Sequence, residues 1–389
     1  MDTRTLATDQ YGNRPYVRWN LRRWSLKHLV YRMRQPIRRR RRWRQVRIAT
    51  APFAKDLTAR RSTGPAVVFG EFSGSHGLAR AAAYDLSLLR AHHSKLVLVD
   101  LADLDFTDFL DLPGVENIYL FSLPDTYGKI FSVLKVEQVA KAWRVGRWAW
   151  ETPLFPEDWK FAEALIHELW TPSEFCSSVF RTKLAISVRT IAHAVAVPSD
   201  NRINIRERLG VPDHAFLGLA IMDLSSCPQR KNPWAHVAAW KNWFGTDQQA
   251  VLVMKVRTTK RTAVVLRELN ELIDGAPNII LLTTELSNEE ISALHRSADL
   301  YLSLHRSEGF GLAIYEALLA GKTVAATDWS APAEYGSKFP NYIPVPFQLV
   351  PYSDWTGYYG RQRFMWAEAL PGAVSTELLR KPAERPELA

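Results

Sequence analysis

Residues 299–335 read DLYLSLHRSEGFGLAIYEALLAGKTVAATDWSAPAEY. A short apolar run over 300–304 leads into a turn of small and charged residues over 305–311. A helix-forming stretch then stops at Gly321, and a second apolar run follows over 323–326. Buried strand, turn, helix and buried strand predict a βαβ unit, whose parallel strands are covered on both faces. Ligands of such sheets bind outside the carboxyl ends of the strands, so chemistry is expected in the 305–311 turn. Gly309 and Gly311 leave backbone N–H groups unobstructed at the positive end of the helix dipole, which suits a diphosphate. Glu308 and Glu316 beside such an anion would be repelled by it, so they are expected to accept hydrogen bonds from hydroxyls of a ribose or a sugar. Phosphate plus polyol points to a nucleotide sugar.

The same rhythm extends in both directions. Apolar runs over 216–222, 250–256 and 278–282 complete one unit with 300–304 and 323–326. Runs over 66–69, 95–99, 118–121 and 188–192, with a helix over 78–90, predict a second unit upstream. Pro198 and its polar neighbours interrupt the rhythm at 197–200 and read as a linker. A length of 389 residues exceeds what one core usually serves. The expected class is therefore α/β, with two Rossmann-like, doubly wound domains in tandem and a cleft between them. The expected divisions are a basic extension over 1–62, a first domain over 63–198, a second over 199–349, and, over 350–389, a helix packing back toward the first domain plus a tail.

With 47% hydrophobic and 23% charged residues, the chain is neither disordered nor fibrous. Its net charge of +10 is uneven: residues 1–60 hold 17 Lys and Arg against 3 acids, a net +14 that leaves −4 for the rest. That distribution argues against a nucleic-acid-binding body and for an acidic surface met by the N-terminal arm, either anionic lipid or nucleic acid. Trp19, Trp24, Tyr31 and Trp43 sit among arginines there, as in a membrane-surface anchor, although a solvated basic arm has the same composition. Pro36 is expected to end or kink a helix in this arm. Two cysteines, Cys176 and Cys227, are too few for a disulfide framework, and neither a secretory signal nor a long apolar span is evident. The expected place is the cytoplasm, or the cytosolic face of a membrane as a peripheral protein.

The string HRSEGFGLAIYEALLAG, residues 305–321, resembles the signature of the retaining nucleotide-sugar glycosyltransferases of glycosyltransferase family 4, in which two glutamates are separated by seven residues. MDLSSCPQRKNPWAHVAAW, residues 222–240, resembles the family's phosphate-binding turn, with Lys231 matching its basic residue. The family often has an arginine some six residues earlier, where this chain has Ser225 and Ser226; Arg230 and Lys255 are both candidates for the second cation. FGEFSGSHGLARAAAY, residues 69–84, resembles the N-terminal loop bordering donor phosphates and acceptor, here Gly74, Ser75 and Gly77. WAWETPLFPEDW at 148–159 and HELWTPSEFCSSVFR at 167–181 look like a subset acting in polysaccharide assembly.

The resemblance implies a GT-B architecture, with an acceptor-side first domain and a donor-binding second domain. It places Glu308 on hydroxyls of the transferred sugar, Glu316 on the ribose, and the turn containing Thr284 and Glu285 beside the nucleobase. Lys231 and the amides of Gly309, Phe310 and Gly311 would take the diphosphate, and Glu151 the sugar or acceptor. Ser287 and Glu290 read independently as a helix capping box. The implied reaction moves a hexosyl group, with retention, from a nucleotide-diphosphate sugar to a saccharide or lipid-linked saccharide. That donor is a co-substrate, and neither cofactor nor metal is expected. Two other readings stay open: a silent GT-B scaffold holding membrane or RNA through its basic arm, and a nucleotide-sugar epimerase on the same fold. His76 and His167 are weaker candidates.

Overall fold

The structure, a computed structural model, describes residues 26–73, 77–106, 108–197, 203–354, 357, 359–360 and 362–381. Gly74, Ser75, His76 and most of the expected linker lie outside the described residues.

Six parallel strands form the first sheet: β1 (Ala66–Gly70), β2 (Leu96–Asp100), β3 (Asn117–Phe121), β4 (Trp143–Arg147), β5 (Glu168–Thr171) and β6 (Ser187–Thr190). Their order is β2-β1-β3-β4-β5-β6. β1 and β3 are buried along their whole length, as their unbroken apolar runs require. Sequence patterning missed β4 and β5, because Arg144, Arg147 and Glu168 interrupt their hydrophobicity. Tertiary structure compensates those charges: buried Arg144 donates to the carbonyl oxygens of Phe53 and Val139, and Arg147 pairs with Asp85 at 2.7 Å.

The second sheet contains β7 (Phe216–Asp223), β8 (Ala250–Arg257), β9 (Ile279–Leu282), β10 (Leu300–Ser303), β11 (Thr323–Thr327) and β12 (Tyr342–Val345), ordered β12-β11-β10-β7-β8-β9 and again parallel. The strand order reverses at the β7–β10 pair, so the turns after these two strands open side by side at their carboxyl ends. The two doubly wound domains expected from the sequence are both present.

The two ends of the chain differ from expectation. The helix Leu26–Thr50 runs through Pro36, and its last turns are part of the first domain rather than an appendage. Trp43, Val46 and Thr50 share one buried face at helical spacing, and Trp43 and Val46 join Phe53 in the core containing Phe131, Trp148 and Trp159. Arg39 and Arg42 are tied to Asp158 and Asp125 at 2.5 and 2.6 Å. Packing of these turns offsets the backbone hydrogen bond that a proline removes.

At the other end, what returns to the first domain is not a helix but the loop of an antiparallel hairpin, β13 (Phe347–Pro351) and β14 (Met365–Ala369). Gly357 and Gly360, with φ of +69° and +77°, are incompatible with a helix there. Tyr359 and Trp366 join the first-domain core, and Tyr359 lies edge-on to Trp150 at 5.3 Å. The short helix Thr376–Arg380 instead buries Leu379 in the second domain.

Candidate functional site

Two turns build the centre of the cleft. After β7, Asp223 accepts from the backbone N–H of Ser225 at 2.8 Å and its hydroxyl at 2.6 Å. The chain then passes through Cys227 and Asn232, both with positive φ, before the helix Pro233–Phe244 begins. After β10, the 305–311 turn is fastened to the first one. The Arg306 N–H donates to the Arg230 carbonyl at 2.8 Å, and the Arg230 guanidinium donates to the Ser307 carbonyl at 3.0 Å. Glu368 of β14 clamps both turns, accepting from Arg306 at 2.6 Å and from Asn232 at 2.9 Å. Ser330, the third non-glycine residue with positive φ among the described residues, accepts from the Glu308 N–H through its hydroxyl at 2.8 Å. Such conformations cost about 1–3 kcal/mol each and persist where surrounding structure over-determines them, commonly at functional sites.

Glu308, Arg230 and Lys231 meet here. The Glu308 carboxylate lies 2.9 Å from Arg230 Nη1 and 2.5 Å from Lys231 Nζ. Burial pushes its pKa up, but Arg230 and Lys231 outweigh burial and hold it down at about 2. Glu151 joins from the first domain: its carboxylate is 3.5 Å from Arg230 and accepts from the Tyr359 hydroxyl at 3.2 Å. His305 and His236 are uncharged at neutral pH, burial lowering each to about 4. His236 Nδ1 lies 2.9 Å from the Asn232 carbonyl oxygen, and its Nε2 lies 3.0 Å from the Leu304 amide nitrogen, bracing both turns from below.

A cavity of about 230 Å³ opens beside this cluster, lined by Lys231, Glu308, Lys255, Glu285, residues 311–314 and, from the first domain, Gly77 and Arg80. Gly311 caps the helix Leu312–Leu319 in the left-handed conformation at φ +79°. Residues 311–314 at the dipole-positive end thus line the cavity, a placement suited to an anion, with the Ile314 N–H already donating to the Gly311 carbonyl at 2.9 Å. Lys255, at the end of β8, is buried, and burial lowers its pKa. Glu285 lines the cavity with Leu286 and Ile291, whereas the exposed Thr284 does not line it.

Other expected residues sit differently. Gly309 does not present an open amide to the cavity but is pressed against the first domain. A Cβ there would meet the Trp150 carbonyl oxygen at 2.9 Å, and the Gly309 carbonyl accepts from the Ser173 hydroxyl at 2.6 Å. Phe310 packs between His193 and Tyr335. Ser225 and Ser226 shape their turn through Asp223, and Ser226 Oγ accepts from Arg230 at 3.1 Å. The second cation beside Glu308 is thus Arg230, while Lys255 lines the same cavity. Glu316 is fully buried; Arg80 pairs with its Oε1, the Tyr84 hydroxyl donates to the same oxygen at 3.1 Å, and His295 lies 3.5 Å from Oε2. His167 is structural, with its ring nitrogens 2.9 Å from the Arg144 amide nitrogen and the Asp56 carbonyl oxygen. The capping box at Ser287 and Glu290 is complete.

Sequence reasoning missed Arg80, Tyr84 and Tyr359. Arg80 and Tyr84 lie one helical turn apart just after the glycine-rich loop, a spacing that puts both on one face and was the available signal. Tyr359 had none, since only the hairpin brings it to Glu151.

Among known families, Glycosyl transferases group 1 matches residues 271–340, the stretch from the helix before β9 to the end of the 305–311 unit and beyond it to residue 340. No curated protein sequence shows significant similarity to the chain. Solved structures do share its fold. A glycosyltransferase from Rickettsia africae superposes with a TM-score of 0.53 at 12% identity over 74% of this chain and 85% of that one. Trehalose-6-phosphate synthase OtsA gives 0.52 at 9% over 72% and 88%. Alr3699/HepE of Anabaena, solved with UDP and glucose, gives 0.51 at 15% over 69% and 82%. These likenesses establish the fold as the GT-B architecture of two Rossmann-like domains.

Proposed function

We propose that the chain is a glycosyltransferase that moves a hexosyl group from a nucleotide-diphosphate sugar to a saccharide or lipid-linked saccharide, with retention of anomeric configuration, in cell-surface polysaccharide assembly. The observation carrying this reading is the convergence of Lys231, Glu308 and the helix end at 311–314 on one cavity at the carboxyl ends of β7 and β10. The match of Glycosyl transferases group 1 to residues 271–340, which contain Glu308 and residues 311–314, supports it.

In this reading the bond between the anomeric carbon and the β-phosphate oxygen breaks, and its electron pair goes to that oxygen. Lys231 and the dipole-positive helix end stabilise the charge as it develops. Glu308, ionised throughout the neutral range, is not a proton donor; it accepts hydrogen bonds from sugar hydroxyls and holds Lys231 in place. The acceptor hydroxyl attacks the oxocarbenium-like carbon from the face the leaving group vacates, and its proton passes to the departing phosphate oxygen. Glu151, across the cleft, is placed to hold hydroxyls of sugar or acceptor. Closure of the cleft excludes water from the activated sugar.

A lipid-linked acceptor accounts for the exposed arginines of the 26–50 helix, Arg40, Arg41, Arg44 and Arg47. No described helix is long and apolar enough to cross a membrane, so contact would be made from the surface. The deciding measurement is nucleoside diphosphate release that depends on an added acceptor, with the anomeric configuration of the product read by NMR. Release without acceptor dependence, or none from any nucleotide sugar, would sink the proposal.

A further inference from the structure

Glu316 presents a conflict if the second domain holds a nucleotide sugar. A carboxylate that is to accept from ribose hydroxyls needs open lone pairs, yet Glu316 is fully buried and does not line the cavity. Its Oε1 is taken by two groups of the first domain, the guanidinium of Arg80 and the hydroxyl of Tyr84. The contact therefore spans the cleft, from the helix Gly77–Arg90 to the helix Leu312–Leu319.

Arg80 itself does line the cavity, together with Lys231 and Gly311. Its side chain is only 12% exposed, so a guanidinium leaving Glu316 needs another anionic partner close by. Its helix is anchored for that purpose. One turn beyond Arg80, buried Asp85 binds Arg147 at 2.7 Å and His193 at 2.8 Å, and His193 stands edge-on to Phe310 of the 305–311 turn at 4.9 Å. The helix carrying Arg80 is thus held in register with the donor turn through a second, independent contact.

We propose that Arg80 is a cation of the donor site supplied by the first domain, held on Glu316 while the site is empty and transferred to the diphosphate when ribose hydroxyls take its place. The swap conserves ion pairing: Glu316 exchanges a guanidinium for hydroxyls, and the guanidinium exchanges a carboxylate for phosphate oxygens, to which it donates with fork geometry. It links occupancy of the second domain to the position of the first. It rests on the nucleotide-sugar reading above.

The swap predicts effects of opposite sign on two ligands. Calorimetry on the full chain first identifies which of UDP, GDP and ADP binds the wild type, and then compares that nucleotide with its parent nucleoside in wild type, Arg80→Ala and Arg80→Lys. Removing Arg80 frees Glu316 for ribose, so the nucleoside binds Arg80→Ala at least as tightly as wild type. The diphosphate loses a charged partner and binds about tenfold or more weakly. Arg80→Lys, which keeps a charge on Glu316 if the alanine variant fails to fold, gives an intermediate ratio of the two affinities. A ratio of diphosphate to nucleoside affinity that is the same in all folded variants overturns the inference and leaves the donor site standing. If the wild type binds none of the three nucleotides, the donor-site reading falls, and this inference falls with it.

Discussion

Replacing Glu308 by Gln removes the charge that Arg230 and Lys231 face while keeping nearly the same shape, so it isolates the electrostatics of the centre. In the folded protein the carboxyl is held at about 2, against 4.5 for an unperturbed glutamate. By proton linkage that difference corresponds to roughly 3 kcal/mol. Because the folded value is depressed, the stabilisation is fully present above about pH 4.5 and is lost as pH falls toward about 2. The Gln variant resembles the protonated acid and leaves Arg230, whose side chain is 2% exposed, with Glu151 at 3.5 Å as its remaining carboxylate. We expect the variant to be less stable than wild type by about 3 kcal/mol near neutral pH, with the gap closing to within about 1 kcal/mol near pH 2.5. Urea unfolding followed by tryptophan fluorescence, with wild type and variant measured side by side at several pH values, reads this gap. A gap that stays constant across the acid range would show that the carboxylate charge is not what Glu308 contributes. Loss of transferase activity in the same variant at neutral pH is expected as well, since Lys231 loses the partner that positions it.

Gly309→Ala places a methyl group 2.9 Å from the Trp150 carbonyl oxygen, so the loop and first domain must separate; a loss of about 1–3 kcal/mol and a lowered kcat are expected, and an unchanged melting temperature would contradict the close approach. Trp43→Ala should cost about 3–5 kcal/mol of first-domain stability in urea; no change would mean the 26–50 helix is detachable after all. Changing the exposed Arg40, Arg41 and Arg44 together to Glu should abolish co-sedimentation with vesicles containing anionic lipid and leave the melting temperature within about 2 °C of wild type. Undiminished sedimentation would remove this face as a lipid-binding surface. Lys231→Ala should weaken binding of the cognate nucleoside diphosphate by about tenfold or more in calorimetry, whereas unaltered affinity would move the phosphate site away from the turn after β7.

The sequence by itself determined the elements whose signal is local. Unbroken apolar runs marked β1, β3, β7, β8, β10 and β11, because strands of a parallel sheet are buried on both faces and need no outside partner to show it. The helix stop at Gly321, which has φ +69°, and the Ser287 capping box were equally legible, since left-handed backbone and reciprocal capping have fixed residue requirements. From these followed two doubly wound domains and the place of the 305–311 turn.

Tertiary structure alone decided what depends on pairing between distant residues. β4 was hidden because its charges are met by Asp85 and by the carbonyl of Phe53 far along the chain, and β5 because Glu168 is met by Arg189 at 3.2 Å. The basic arm hid an apolar face, Trp43, Val46 and Phe53, that acquires meaning only against Phe131 and Trp159. Gly309 was read as an open amide, and only the approach of Trp150 shows that its missing side chain makes room for the other domain. The choice of Arg230 as the cation beside Glu308, and the seizure of Glu316 by Arg80, are contacts between residues 78 and 236 positions apart, read from the numbering of each pair. A one-dimensional pattern carries the burial of each segment, but not which buried charge will meet which, because that is set by the packing of one sheet's helices against the other's.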